Sequence, residues 1–399
     1  MMKKLLVLIF FAVSIATTDA QWKTNGPIGP TVSCLAANGS SIFAGTFNNG
    51  IFLSTDNGGT WNPVNNGLID SGILSIVVNG SNVFAGADSE GVFLSTNNGS
   101  NWTVLGTSLT TFGVDALAGT DSSIFAGTVG NAIFLSTNNG NWANASTGLT
   151  DPHIFSIAIN GSNIFAGTAT GGIFLSNNNG SNWTAINNGL PYDDAIFAFA
   201  ISDSNIFAGT IESGVFLSKN NGGNWVAVNN GLTDFYITSL AISGSSIFAG
   251  TIANDSGYYG VFMSADNGGN WTAINDGLSQ NETINALVIT DSTIFAGTPD
   301  GVYQRPLSDF TTGIQEINAT SPTQFKLYPN PTNGNLQLSV SGELIGSTLE
   351  IYDAEGRLVS HSEISTQNSQ LNLTLAAGIY IATLKNGDGV ATQKLVVTK

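Results

Sequence analysis

Five carboxylates, Asp193, Asp194, Glu212, Glu282 and Asp300, are the side chains best placed in the sequence to do acid or base work. Cleavage of a glycosidic bond needs two such groups flanking a cleft, at a separation that sets the stereochemical outcome. Other chemistries lack their residues. His153 and His361 are the two histidines, they lie in segments of different character, and no Cys/His cluster accompanies them. Zinc catalysis and a Ser-His-Asp triad are therefore not expected. A calcium site from Asp and backbone carbonyls stays open, but the loop from Asp255 to Tyr259 lacks the dense acidic spacing of a Ca²⁺ loop, so no metal ligands are assigned and no cofactor is expected. Cys34 is the one cysteine; set among Val32, Ser33, Leu35 and Ala36, it reads as a buried strand residue rather than a reactive thiol.

Formal charge narrows the partners. The chain carries a net −17, and residues 21–310 hold 19 acids against three bases, Lys23, Lys219 and Arg305. That balance excludes the basic footprint that nucleic acid requires. Cationic or neutral ligands suit it better.

The elements that must hold these residues are strands. Phe-Ala-Gly recurs at Phe43, Phe84, Phe125, Phe165, Phe207, Phe248 and Phe295, at intervals of 40 to 47 residues. A period near forty in pure strand-and-turn sequence is that of a four-stranded propeller blade. In the second copy the strands begin at Ile73, Asn82, Gly91 and Trp102, and Asn79-Gly80 supplies a hairpin turn. The seventh copy ends after three strands at Arg305. Its fourth strand is predicted from the other end of the chain, where Gln21 to Gly26 repeats the pattern that begins at Asn224. The fold class expected is all-β: a seven-bladed β-propeller (21–305) closed by the N-terminal strand, with seven tryptophans for seven blades. Closure removes the free sheet edge.

Before the fourth strand of each of the first six copies lies an octapeptide turn, with Ser54, Asp56, Gly58 and Trp61 in the first copy and Ser264, Asp266, Gly268 and Trp271 in the sixth. Asn97, Asn138, Asn178 and Asn220 replace the Asp elsewhere, and the third copy is one residue short. Asx side chains bond backbone N–H groups within turns, so these residues are read as structural, as are the Asn-x-Ser/Thr sequons that the same turns create. The pattern resembles the Asp-box (BNR) repeat family. That family includes sialidases, whose mechanism, by the resemblance, uses three arginines on a carboxylate. This chain has only Arg305 and Arg357, so a sialidase mechanism is not expected. The two-propeller xyloglucanases are similar too, but their cleft lies between two propellers and this chain has one.

Residues 1–20 combine Lys3, Lys4, an apolar run and small residues around Asp19, which reads as a cleavable signal peptide. No other stretch approaches membrane-spanning length. Residues 306–324 read as a linker, and 325–399 as a small C-terminal Ig-like β-sandwich built from alternating runs. Its ordered motifs are Leu327, Tyr328, Pro329, Asn330 and Pro331 with Gly334, then Ile351 to Arg357, Gly378 to Tyr380 and a terminal Lys394 to Lys399. They resemble the type A C-terminal sorting domain of the type IX secretion system. The resemblance implies the secretion machinery as a partner, and release or surface attachment at the outer membrane of a Gram-negative bacterium.

Comparison of the seven copies places the octapeptides on one uniform face and the differences on the other. The variable loops carry Tyr192, Asp193, Asp194, Phe235, Tyr236, Tyr258 and Tyr259, expected to form one ligand patch, because loops on a rigid scaffold commonly carry recognition. The function expected is a monomeric, secreted or cell-surface, non-enzymatic binding module for an extracellular glycan or protein. The alternative is a glycoside hydrolase using a carboxylate pair on that variable face.

Overall fold

The computed structural model describes residues 21–398, leaving out 25, 28, 106–108, 110–111, 121, 138–139, 253–258, 280–281, 311–324, 329, 331, 334, 341–344, 354–356 and 387–388. The chain falls into two compact units, one reaching to Asp309 and one beginning at Phe310.

The first unit consists of seven four-stranded antiparallel sheets. After a short strand β1 (Lys23–Thr24), the first blade is formed by β2 (Val32–Asn38), β3 (Ser41–Thr46), β4 (Ile51–Ser54) and β5 (Asn62–Pro63), in that order from the ring axis outward. Five further blades repeat this pattern. The seventh is Ala286–Ile289, Thr293–Thr298 and Gly301–Pro306, with β1 as its outer strand, pairing Lys23 with Gln304 and Thr24 with Tyr303. The innermost strands touch in cyclic order, Ala286–Ile289 returning to β2. The ring is thus a seven-bladed propeller closed by its N-terminal strand.

Packing between blades explains the recurring Phe-Ala-Gly. All seven phenylalanines are at most 1% exposed, each wedged between its own sheet and the next. The glycine is needed for close approach: a Cβ on Gly45 would lie 2.8 Å from Ile73 Cγ2 of the second blade. The same relation links Gly127 to Ile154, Gly209 to Ile237, Gly250 to Ile284 and, across the closure, Gly297 to Val32. Tryptophans add a second seam. The indole N–H of Trp102, Trp183, Trp225 and Trp271 donates to a carbonyl of the preceding blade, at Val64, Ala145, Ile186 and Val228 respectively.

Where the sequence suggests an extended linker, Leu307–Phe310 forms a 3₁₀ turn; residues 311–324 lie outside the described residues. The second unit has a three-stranded and a four-stranded sheet. Leu327, Leu336 and Leu338 of one share a core with Leu349, Ile351, Ala382 and Leu395 of the other, giving the small sandwich expected. Among the described residues no helix is long and apolar enough to cross a membrane.

Candidate functional site

Each of the first six innermost strands carries a β-bulge near its start. Register slips between Val32 and Cys34, Ile73 and Ser75, Val114 and Ala116, Ile154 and Ser156, Ile196 and Ala198, and Ile237 and Ser239. A bulge leaves one residue unpaired and re-aims its side chain. Here those residues are Ser33, Leu74, Asp115, Phe155, Phe197 and Thr238. With Asn285 of the seventh blade they line a cavity of about 480 Å³ at the axis, which also touches Phe47 and Ile252. Because Phe47 and Ile252 directly follow second strands, this mouth opens on the variable face.

Most polar groups of the wall are engaged in holding the ring. Ser33 Oγ donates to the carbonyls of Gly45 (3.0 Å) and Ile73, and Thr238 Oγ1 to those of Gly250 (3.0 Å) and Ile284. Ser75 and Ser156 reach Val114 and Ile196 at 2.8 Å, and Asn285 Nδ2 reaches Val32 at 2.8 Å. The bonds to Ile73, Val114, Ile196, Ile284 and Val32 cross to the next blade, at or just before the start of its inner strand; those to Gly45 and Gly250 stay within the blade. Leu74, Asp115, Phe155 and Phe197 take no part in them.

Three of those four are consecutive around the ring and meet. The Phe155 and Phe197 rings stack with centroids 4.3 Å apart and 23° between planes, and the His153 ring centroid lies 4.3 Å from that of Phe155, tilted by 41°. His153 Nε2 stands 3.3 Å from Asp115 Oδ2, with both side chains largely covered. Burial pushes the Asp115 carboxyl above its ordinary range; contact with His153 opposes the shift and the charge of Asp88 adds to it. The cluster therefore presents an aromatic wall beside one desolvated acid. Sequence reading passed over Asp115, Phe155 and Phe197. The available signal was the residue after the first Ile or Val of each copy, which varies as Ser, Leu, Asp, Phe, Phe, Thr and Asn while its neighbours stay small or apolar.

The residues singled out in the variable loops separate. Tyr192 is 98% exposed and Phe235 42% exposed; Tyr236 and Tyr259 are half-buried, and Tyr258 lies outside the described residues. Among the described residues, no ring contact joins Tyr192, Phe235, Tyr236 and Tyr259 to one another. Asp193 is exposed in a left-handed turn (φ 65°). Asp194, by contrast, is buried and accepts the N–H of Glu212 at 3.1 Å. It belongs to a recurrent loop clamp rather than to a ligand surface. Asp151 does the same work more fully, accepting from His153 N, Thr170 N and Oγ1, and Gly171 N. Burial alone would raise Asp151, but these bonds together hold it low. Glu282 is the seventh-blade counterpart, bonded to Thr298, Ser279 and the Asp300 N–H; its own burial, followed by the Asp300 charge, keeps its carboxyl high.

The octapeptides are self-contained turns. Ser54 Oγ donates to Asp56 Oδ1 (2.8 Å) and accepts from Gly58 N (2.9 Å), while Thr60 N donates to Asp56 Oδ1 (2.8 Å). Asn97, Asn178 and Asn220 accept the equivalent bonds through Oδ1, so the amide serves where the Asp is absent. Asn57 N bonds Ser40 O in the first hairpin, which places the turns at the blade end opposite the mouth. Trp61 is the one octapeptide tryptophan left partly exposed; Trp271 is 4% exposed.

Cys34 sits on the channel wall, partly exposed as a residue, with its sulfur turned toward Gly45. Burial pushes the thiol up to about 12, which makes it unreactive at neutral pH. Among the described residues no three His, Cys, Asp or Glu side chains group to hold a metal. In the second unit Asn330 Oδ1 accepts Val396 N at 2.8 Å, and Thr332 N donates to Val396 O at 2.9 Å, tying this motif to the terminal strand. Tyr328 is 45% exposed; Pro329, Pro331 and Gly334 lie outside the described residues.

Residues 326–398 match the family described as the secretion system C-terminal sorting domain. This tail marks the chain for type IX export to the cell surface or beyond, and so for engagement with that machinery. No curated protein matches the chain. Among solved structures, YCF48 from Cyanidioschyzon merolae is similar (17% identity, 72% of this chain and 98% of that one, TM-score 0.55). So is YCF48 bound to D1 peptide (14%, 71% and 96%, TM-score 0.56). The Niastella koreensis GH74 enzyme covers more of this chain (14%, 94% and 74%, TM-score 0.59). At these identities the likeness is one of fold.

Proposed function

We propose that the chain is a secreted or surface-displayed binding module, not an enzyme, which recognises an extracellular glycan or protein on the variable face with the channel mouth at its centre. The observation that carries this reading is the row of Phe155 and Phe197 beside Asp115, set on inner strands by bulges, with His153 just before the strand that carries Phe155. A concavity with an aromatic wall and one acid not committed to inter-blade bonds has the make-up of a recognition site. Loop aromatics such as Tyr192 and Phe235 would extend it. The octapeptide bonding supports assignment of those turns to the Asp-box class, and residues 1–20 would act as the signal peptide.

Propellers of this fold include one bound to a peptide and one hydrolytic enzyme, so fold alone does not choose. Against hydrolysis, two of the five carboxylates read from the sequence, Asp194 and Glu282, are buried in loop clamps. The test is a glycan and protein array probed with the full chain, with glycoside turnover assayed alongside. A retained ligand that is lost on Phe155→Ala or Phe197→Ala supports the reading. Turnover abolished by Asp193→Asn or Asp115→Asn would replace it with the hydrolase alternative.

A further inference from the structure

We propose that the channel mouth receives one positively charged side chain, a lysine or arginine of a peptide or protein ligand, with its charge against Asp115 and its stem along Phe155 and Phe197. This rests on the binding-module reading and narrows it to one ligand class.

Three observations converge on a cation. The wall supplies no permanent positive charge of its own. Of the three bases in residues 21–310, Lys23 lies in an outermost strand, Lys219 follows the third strand at the octapeptide end, and Arg305 is bonded to Asp309 and to the Ile274 carbonyl. Among the described residues the ion-pair partner of Asp115 is His153, which is charged when protonated. Second, Asp115 is a largely covered acid with Asp88 acting on it. A covered carboxylate is costly unless paired, and an entering cation would pair it. Third, Phe197 meets Phe155 through one face and lines the cavity, so its other face is of the kind that attracts ammonium and guanidinium groups.

The same wall argues against a sugar as the occupant of the mouth. A sugar needs many directed hydrogen bonds, yet Ser33, Ser156, Thr238 and Asn285 are already donating to inter-blade carbonyls. Anionic ligands meet Asp115 and Asp88. A cavity of about 480 Å³ admits a long side chain but not a folded element, so the remainder of the ligand would lie over the surrounding rim.

The test uses ¹⁵N-labelled full chain titrated with N-acetyl-lysine methylamide and N-acetyl-arginine methylamide, against the neutral N-acetyl-norleucine and N-acetyl-citrulline methylamides. Expected are shifts confined to amides near 114–116, 153–156 and 196–198, with cations binding at least about tenfold more tightly than their neutral counterparts. Asp115→Asn, whose amide keeps the side chain's shape, should erase that preference, while Phe155→Leu weakens both cations. Equal binding of charged and neutral probes, shifts elsewhere, or no shifts at all would overturn the proposal. Tetramethylammonium binding without lysine or arginine binding would also overturn it, in favour of a small quaternary ammonium ligand. An array ligand whose binding ignored Asp115→Asn would leave the binding module standing and remove only this inference.

Discussion

Trp22 donates its indole N–H to the carbonyl of Ile274 at 2.7 Å, joining residues 252 positions apart. Trp22 N also donates to Asp276 O at 2.8 Å, as Trp271 N does to Asn230 O. The N-terminal strand thus uses the same seam as Trp102, Trp142, Trp183, Trp225 and Trp271 of blades two to six, and it is the element on which closure depends. Trp22→Ala should cost about 3–5 kcal/mol, the usual range for a buried aromatic, read by denaturant unfolding. Trp61→Ala, at the partly exposed position, should cost less. Equal costs would show that closure adds nothing at Trp22.

Asp115 links the mouth to stability through pH. Its carboxyl is pushed up by burial, so between the unfolded and folded values the native state holds a proton that the unfolded chain releases. Stability therefore falls as pH rises through that interval. Asp115→Asn should raise the melting temperature at pH 7, and the gain should vanish below about pH 4, the ordinary Asp range. Calorimetry across pH that gave parallel curves for the two proteins would contradict the shift.

Asp266 has the opposite sign. Bonds from the Asn270 side chain, Ser264 Oγ and Asn270 N hold its carboxyl down to about 2. The stability it contributes is present above the ordinary Asp value and disappears as pH falls from about 4 to 2. Asp266→Asn should remove this acid sensitivity yet keep the turn, as Asn97 and Asn220 do in their own blades. Asp266→Ala should destabilise at neutral pH. Melting curves of the two variants distinguish them.

The rim and the seams should separate cleanly under mutation. Tyr192→Ala should change stability by no more than about 0.5 kcal/mol, because that side chain is almost wholly exposed. Trp102→Ala should cost about 3–5 kcal/mol. For an array ligand, Phe155→Ala should reduce affinity more than Tyr192→Ala; the reverse order would move the centre of recognition from the mouth to the loops.

Deletion of residues 325–399 should leave a folded propeller that accumulates in the periplasm. Cell fractionation and proteolysis report this. Normal surface delivery of the truncated chain would show that export does not depend on the tail.

The ring was legible in the sequence because its constraints are local and repeated. Gly45 must admit Ile73, the same contact recurs around the ring, and a recurring contact leaves a recurring residue. Trp22 was legible for the same reason, since it copies the surroundings of Trp225. The C-terminal tail was recognisable from the order of motifs around Asn330, whose bond to Val396 explains the Asn. Only the tertiary structure could assemble the mouth. Asp115, Phe155 and Phe197 lie about forty residues apart, and bulges turn them inward. A bulge belongs to the register between two strands, not to the alternation within one. Neighbours in sequence were equally misleading: Tyr192 and Asp194 are two residues apart, yet the tyrosine stands in solvent while the aspartate turns inward. What separates them is the N–H of Glu212, a partner that only the folded blade brings to Asp194.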